Sequence, residues 1–194
     1  MSSNRGLEPG DFAADFELPN ANSDFQKDIY NAIEYGPTQK VTLDETIGKL
    51  GGVIMFTCNH CPYVIANEER IESIAIKCRE SGLGFVGINS NDPIVYPSDD
   101  WDHMIIRATE MSYPYLHDSV QTIAHAYGAE RTPEFYLVNG EKTVIYRGRL
   151  DDSPRDPSKA TTSELDDAIT SLLNGKPISI PRTESIGCSV KWKE

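Results

Sequence analysis

Two cysteines stand close together in the segment Thr57-Cys58-Asn59-His60-Cys61-Pro62. Thiols at C-x-x-C spacing can bond to each other, or they can supply half of a zinc site. The first use needs an ionised sulfur, because the thiolate is the nucleophile of thiol–disulfide exchange. Helix N-termini and C-x-x-C settings lower a thiol pKa to about 3.5–7.5. A partly cationic His60 ring beside Cys58 would favour the thiolate further. The second use needs more ligands. His60 could be a third, but a structural zinc site usually has a second close pair, and Cys78, Cys188, His103, His117 and His125 are scattered. The redox reading therefore leads, with a zinc clasp or inert thiols as the alternatives.

The elements that must hold this pair can be read from periodicity. GGVIMFT (51–57) is an apolar run that predicts a buried strand. Val64, Ile71, Ile74, Ala75 and Cys78 fall on one face of a continuous helix of about 18 residues, stopped by Ser81-Gly82. Phe85 to Ile88 predicts the next strand. This βαβ unit has parallel strands and places Cys58 at or near a helix N-terminus, with Cys61 one turn on. On the helical stripe, Cys78 reads as a small buried hydrophobe.

The rest of the chain alternates in the same manner. VTLDE (41–45) can hold a short strand. After a polar loop (89–100), Ser98 is placed as N-cap of a helix that buries Trp101, Met104, Ile105 and Ala108. Tyr113 to Leu116 reads as a short strand. Asp118 with Gln121 reads as a capping box before a helix burying Val120, Ile123, Ala124 and Tyr127, ended by Gly128. The apolar run Phe135–Val138, the turn Asn139-Gly140 and the strand Thr143–Tyr146 make an antiparallel hairpin. A last helix, capped by Thr161 with Glu164, buries Leu165, Ala168, Ile169 and Leu172. The predicted class is α/β: a central mixed sheet with helices on both faces, in one domain over 1–194, with an N-terminal extension (1–38) and a C-terminal tail (176–194).

Composition narrows the function classes. The 194 residues carry 18 Lys+Arg against 30 Asp+Glu, a net charge of −12, which disfavours binding to phosphate backbones. No apolar run reaches the length of a membrane helix, and the N-terminus lacks the apolar stretch of a secretory signal. The expectation is a cytoplasmic protein, with no nucleic acid or membrane as partner. In that compartment four cysteines point to redox or metal chemistry rather than to a disulfide framework. Neither a Gly-rich phosphate loop nor a spaced carboxylate pair stands out.

GLEPGDFAADFELP near the start, the Cys pair at a strand–helix junction, and Thr132-Pro133 before a strand occur in an order that resembles the thioredoxin-like superfamily. The branch is the redoxins (alkyl hydroperoxide reductase and thiol-specific antioxidant proteins). The chain is most similar to a peroxiredoxin-like group with F-T-C-N-H-C-P-Y-V and G-C-S-x-K-W, which stand here as Phe56–Val64 and Gly187–Trp192. The resemblance runs from about residue 6 to the end. It implies a thioredoxin-like fold, Cys58 as the attacking and Cys61 as the resolving cysteine, and Pro133 as a cis-proline facing them. Its bond would expose the Thr132 backbone for pairing with an extended substrate. The implied activity is thiol–disulfide exchange without a metal or organic cofactor. The implied partners are a protein disulfide, a small thiol or a peroxide, and an external thiol electron donor.

Departures from the family pattern matter too. Thr57 takes the place of thioredoxin's tryptophan. The peroxiredoxin motif P-x-x-x-T-x-x-C is absent, which leaves Thr57 and either Arg147 or Arg149 as the groups that could polarise a peroxide. A thiol peroxidase is thus the alternative, and a non-catalytic zinc-binding or redox-sensing module a third reading. Cys188, in the tail, is a candidate third redox thiol, with Val190 and Trp192 as anchors that would dock it.

Overall fold

The structure, a computed structural model, describes residues 6–22 and 39–194. The rest of the N-terminal extension lies outside the described residues. β1 (Glu17–Pro19) pairs antiparallel with β2 (Lys40–Thr42), and the short α1 (Leu43–Thr46) follows. β3 (Gly51–Phe56), α2 (Pro62–Ile65), α3 (Glu68–Glu80) and β4 (Gly84–Asn89) form the βαβ unit. Then come α4 (Trp101–Ala108), β5 (Tyr115–His117), α5 (Thr122–Tyr127), the two-residue β6 (Arg131–Thr132), β7 (Glu134–Asn139), β8 (Val144–Gly148), α6 (Glu164–Leu173) and β9 (Cys188–Ser189).

Five strands make the central sheet, in the order β5-β4-β3-β7-β8. β3 runs parallel to β4, and β4 to β5; β7 is antiparallel to both β3 and β8. The central strands are buried on both faces, so they read as near-continuous apolar runs. Alternation still sorts their side chains. Ile54, Phe56, Val86, Ile88 and Tyr136 meet Leu43 of α1 and Ala124 and Tyr127 of α5 on one face. Val53, Met55, Phe85, Phe135 and Leu137 meet Ile71, Ala75 and Cys78 of α3 and Leu165 and Ile169 of α6 on the other. The strand starts pack without side chains between them: a Cβ on Gly84 would lie 1.6 Å from the Thr46 carbonyl.

Several expected boundaries move for local reasons. The long first helix is two helices, broken at Ala66-Asn67, where buried Asn67 donates to the Pro154 carbonyl at 2.8 Å. VTLDE is strand only to Thr42, which then caps α1 in a reciprocal pair with Glu45. Asp100, not Ser98, caps α4 by accepting from the His103 N–H, because Pro97–Asp99 first form a 3₁₀ turn. Asp118 does cap the next helix, from further upstream: its carboxylate accepts from the Ile123 and Ala124 N–H groups. That late start leaves Val120 72% exposed rather than in the core. Thr161 does not cap α6; it bonds Asp152, and Ser163 precedes the helix. No helix among the described residues is long and apolar enough to cross a membrane.

Candidate active site

Sheet register assembles the site. β3 and β4 are parallel, so their C-terminal ends, Phe56 and Asn89, finish at one edge. β7 runs the other way, and Phe56 pairs with Glu134. The residue before Glu134, Pro133, therefore comes beside Thr57 and the cysteines. The Thr132–Pro133 bond is cis, as the sequence predicts.

Cys58 and Cys61 lie in one small cluster with Val64, Tyr63 and Cys188. Both are fully buried and both are thiols rather than a disulfide. Both sulfurs converge on Thr132. The Cys58 Sγ is 3.4 Å from the Thr132 hydroxyl, and the Cys61 Sγ is 3.1 Å from the Thr132 carbonyl oxygen.

The two sulfurs divide one proton unequally. Cys61 is held at a pKa of about 4, first by the hydrogen bond from Cys58, then by the Cys188 thiol and the backbone N–H groups of Cys188 and Val64, against the cost of burial. Protonated, Cys61 donates to the Thr132 carbonyl; ionised, it has four donors, and the donors prevail. Cys58 is pushed upward by its role as donor to Cys61, by burial, and by the nearby Asp99 charge. The sequence places Cys58 at or near a helix start; in the structure it is Cys61 that stands at the N-cap. Pro62, fixed in φ and lacking an N–H, opens α2, so Cys61 occupies the N-cap and Cys58 stands four residues ahead of the helix.

Asp99 is the residue that sequence reasoning missed. With Asp100 it reads as an acidic helix start, yet its carboxylate is completely buried. It accepts from the Asn59 N–H at 2.7 Å, from Asn91 at 2.9 Å and from Asn89 at 3.3 Å. The His60 Nδ1 lies 2.5 Å from Oδ2, the oxygen that Asn91 also meets, and the ring stacks on Tyr96 at 4.2 Å. His60 is therefore turned to an anion, and the charge that acts on Cys58 is that of Asp99. The only sequence signal is the cluster of Asn and Asp after β4, where a buried strand end meets polar residues.

Of the other expected residues, Thr57 is buried with its hydroxyl unpartnered. Arg147 is buried and committed to Glu134 (2.9 Å) and Glu8 (3.1 Å). Arg149 is paired with Glu164. Neither guanidinium is left to polarise a peroxide. The cations that act near the thiols are Lys191 and Arg155; the Arg155 guanidinium covers the Tyr63 ring at 4.5 Å and donates to its hydroxyl at 3.0 Å. Cys78 sits in the apolar cluster under α3, where burial raises it to about 12.

The tail reaches the site. β9 pairs antiparallel with β6, with Cys188 opposite Thr132. Val190 is buried, and Trp192 stacks on His125 at 4.2 Å. Gln121, in a left-handed conformation (φ 63°), donates to the carbonyls of Ser90 and Lys191.

Cys58, His60 and Asp99 bring potential metal-ligand atoms within 4.8 Å of one another. An ion there would have to displace the four groups already on Asp99, and three ligands fall short of a closed tetrahedral set.

The Redoxin family model matches residues 10–169. No curated protein matches the chain. A solved structure of a conserved protein from Geobacillus kaustophilus is 34% identical over 96% of this chain and 93% of its own, with a TM-score of 0.84. A hypothetical protein from Sinorhizobium meliloti is 31% identical over 97% of both chains, with a TM-score of 0.82. More distant likenesses share the fold. They include a putative thiol:disulfide interchange protein DsbE from Chlorobium tepidum, at 16% identity and a TM-score of 0.61 over 87% of this chain and 99% of that one. Peroxidoxin BcpB from Mycobacterium tuberculosis is 19% identical, with a TM-score of 0.52 over 72% of this chain and 83% of its own.

Proposed function

We propose that this chain, which belongs to the Redoxin family, is a thiol–disulfide oxidoreductase that cycles between a Cys58/Cys61 dithiol and disulfide. The observation that carries the reading is geometric: two buried free thiols in one cluster, both against Thr132 beside its cis bond to Pro133. A substrate disulfide is a protein or small-molecule bond whose flanking strand takes the edge of β6 when β9 leaves it. One sulfur of the pair attacks it and forms a mixed disulfide, and one substrate thiolate leaves. The other sulfur then attacks the enzyme sulfur, closes Cys58–Cys61 and releases the second substrate thiolate. On this reading Cys61 attacks and Cys58 resolves, with the roles exchanged from those the family resemblance implies. The Asp99 charge beside Cys58 keeps that thiol protonated until the second step. An external thiol donor returns the disulfide to the dithiol.

Insulin reduction driven by dithiothreitol tests this. Wild type accelerates the reaction, and Cys58→Ser and Cys61→Ser each abolish the acceleration. Equal rates for wild type and both variants would remove the assignment.

A second reading, a thiol peroxidase, draws support from the unpartnered Thr57 hydroxyl beside the pair. The Cys61 thiolate would take one peroxide oxygen to become a sulfenic acid, the other leaving as water after protonation, and Cys58 would then form the disulfide and release a second water. Stopped-flow mixing with hydrogen peroxide separates the two readings. Because Arg147 and Arg149 are committed to carboxylates, the expected rate is that of an ordinary thiolate.

A further inference from the structure

We propose that Cys188 is a third thiol of the redox cycle: it takes the disulfide from Cys58–Cys61 as Cys61–Cys188 and carries it to the surface. The inference rests on the dithiol reading above and extends it.

Access is the first ground. Cys58 and Cys61 are both fully buried, so a protein-sized reductant cannot touch either sulfur while the tail is docked. Cys188 is partly exposed and packs against the same cluster, and it stands opposite Thr132, whose carbonyl oxygen the Cys61 sulfur meets at 3.1 Å. Among the described cysteines it is the one that meets both Cys61 and solvent.

Placement is the second ground. The tail forms a strand on β6, with Cys188 opposite Thr132, the position that a bound extended substrate is expected to take. The approach is built in. A Cβ at residue 187 would lie 2.1 Å from the Thr132 carbonyl oxygen, so Gly187 permits the pairing that any side chain would block. The strand is held beyond the cysteine as well. The Val190 N–H donates to the Glu130 carbonyl at 3.1 Å, the Lys191 N–H to Asn91 at 2.9 Å, and the Lys193 N–H to Gln121 at 2.9 Å. A tail that only filled space would not need a glycine at one point and a thiol at the next.

The step balances without an added oxidant. The Cys188 thiolate attacks the Cys61 sulfur of the Cys58–Cys61 disulfide; the Cys61–Cys188 bond forms, the Cys58–Cys61 bond breaks, and Cys58 leaves as a thiolate that takes up the proton Cys188 lost. An external dithiol then attacks the exposed Cys188 sulfur and is itself oxidised. The surroundings change in the helpful direction. In the dithiol state Cys188 is raised to about 11 by burial and by its hydrogen bond and charge contact with Cys61, while Lys191 and Arg155 oppose the rise. Oxidation of Cys61 removes the two contributions of that residue and leaves both cations.

Two measurements on the full chain test the relay. First, wild type and Cys58→Ala are treated with one equivalent of diamide, acid-quenched, alkylated with iodoacetamide and mapped as unreduced peptides. The relay predicts Cys58–Cys61 and Cys61–Cys188 forms together in wild type, and a Cys61–Cys188 bond within one chain in Cys58→Ala. Free, alkylated Cys188 in both proteins would overturn it. Second, the Cys58–Cys61 disulfide forms of wild type and Cys188→Ala are reduced by a thioredoxin and by dithiothreitol. Loss of Cys188 slows the protein reductant at least about tenfold and the small one much less, because only the former depends on surface access. Equal slowing, or none, would also overturn the relay. A wild type that forms Cys58–Cys61 but never Cys61–Cys188 defeats the relay alone; one that forms neither defeats the dithiol reading beneath it.

Discussion

Cys61 and Cys78 have the same side chain and the same burial, and neither is exposed at all. Yet Cys61 is lowered to about 4, whereas Cys78 is raised to about 12. The difference lies in what surrounds the sulfur. Cys78 is walled by α3 and the sheet, where burial is its leading influence. Cys61 stands where the sheet ends, and there another thiol, a third thiol and two backbone N–H groups converge on it. Burial alone silences a thiol; burial with donors charges it.

Four experiments sharpen or break that contrast. The largest effect is on turnover. Cys61→Ser should lower insulin reduction at least about a hundredfold, since the hydroxyl cannot replace the thiolate in exchange. Cys78→Val should leave it unchanged in the same assay. A loss in Cys78→Val comparable with that in Cys61→Ser would end the comparison.

Next is the ionisation itself. Followed by thiolate absorbance in the ultraviolet, reduced wild type should show one thiolate appearing near pH 4. In Cys58→Ala the leading hydrogen bond is lost and that midpoint should move up. The sign of the linked stability follows. A lowered folded pKa contributes stability that is present above the unfolded thiol value of about 8.5 and fades as pH falls toward the folded one. From about pH 4 to that unfolded value the folded pair holds one proton and the unfolded chain two, so stability should rise with pH. Above it the unfolded chain holds none while Cys58 keeps its proton, and stability should fall. Urea melts of reduced wild type against a Cys58→Ala/Cys61→Ala double variant, across that range, read the difference.

A smaller effect belongs to Asp99. Asp99→Asn removes the charge that raises Cys58, so Cys58 should alkylate faster, by roughly tenfold for each pKa unit recovered. Mass-spectrometric alkylation rates at fixed pH read this. A slower rate would mean that Asp99 acts on Cys58 in some other way. The smallest effect is the stability of Cys78→Val, expected within about 1.5 kcal/mol of wild type because the site accepts a small hydrophobe. Thermal melts of the two proteins check it.

Much of the sheet was legible in the sequence because its signal is local. The runs 51–57, 85–88 and 135–138 are buried on both faces, and Asn139-Gly140 marks the turn of their hairpin. The Cys pair and Pro133 were legible by type and order. Less legible was anything set by distant partners. Asp99 looks like a helix-starting acid until β4 and the 58–61 bend close over it. The break at Asn67 depends on the Pro154 carbonyl, which comes from a separate loop. That Cys61 rather than Cys58 takes the N-cap has a local reason, Pro62, while its contact with the tail depends on remote packing. Tail docking was readable as a tendency of Val190 and Trp192, but the Thr132–Cys188 register requires the folded edge.

The couple is most directly tested by equilibrating the full chain with glutathione buffers of graded redox poise, trapping free thiols with iodoacetamide, and mapping each cysteine. Cys61 should lose alkylation in a single two-electron transition within one chain, with Cys58 and Cys188 sharing the matching loss as its partners, while Cys78 stays fully alkylated after denaturation at every poise. Alkylation of both Cys58 and Cys61 even in the most oxidising buffer would contradict the proposed cycle.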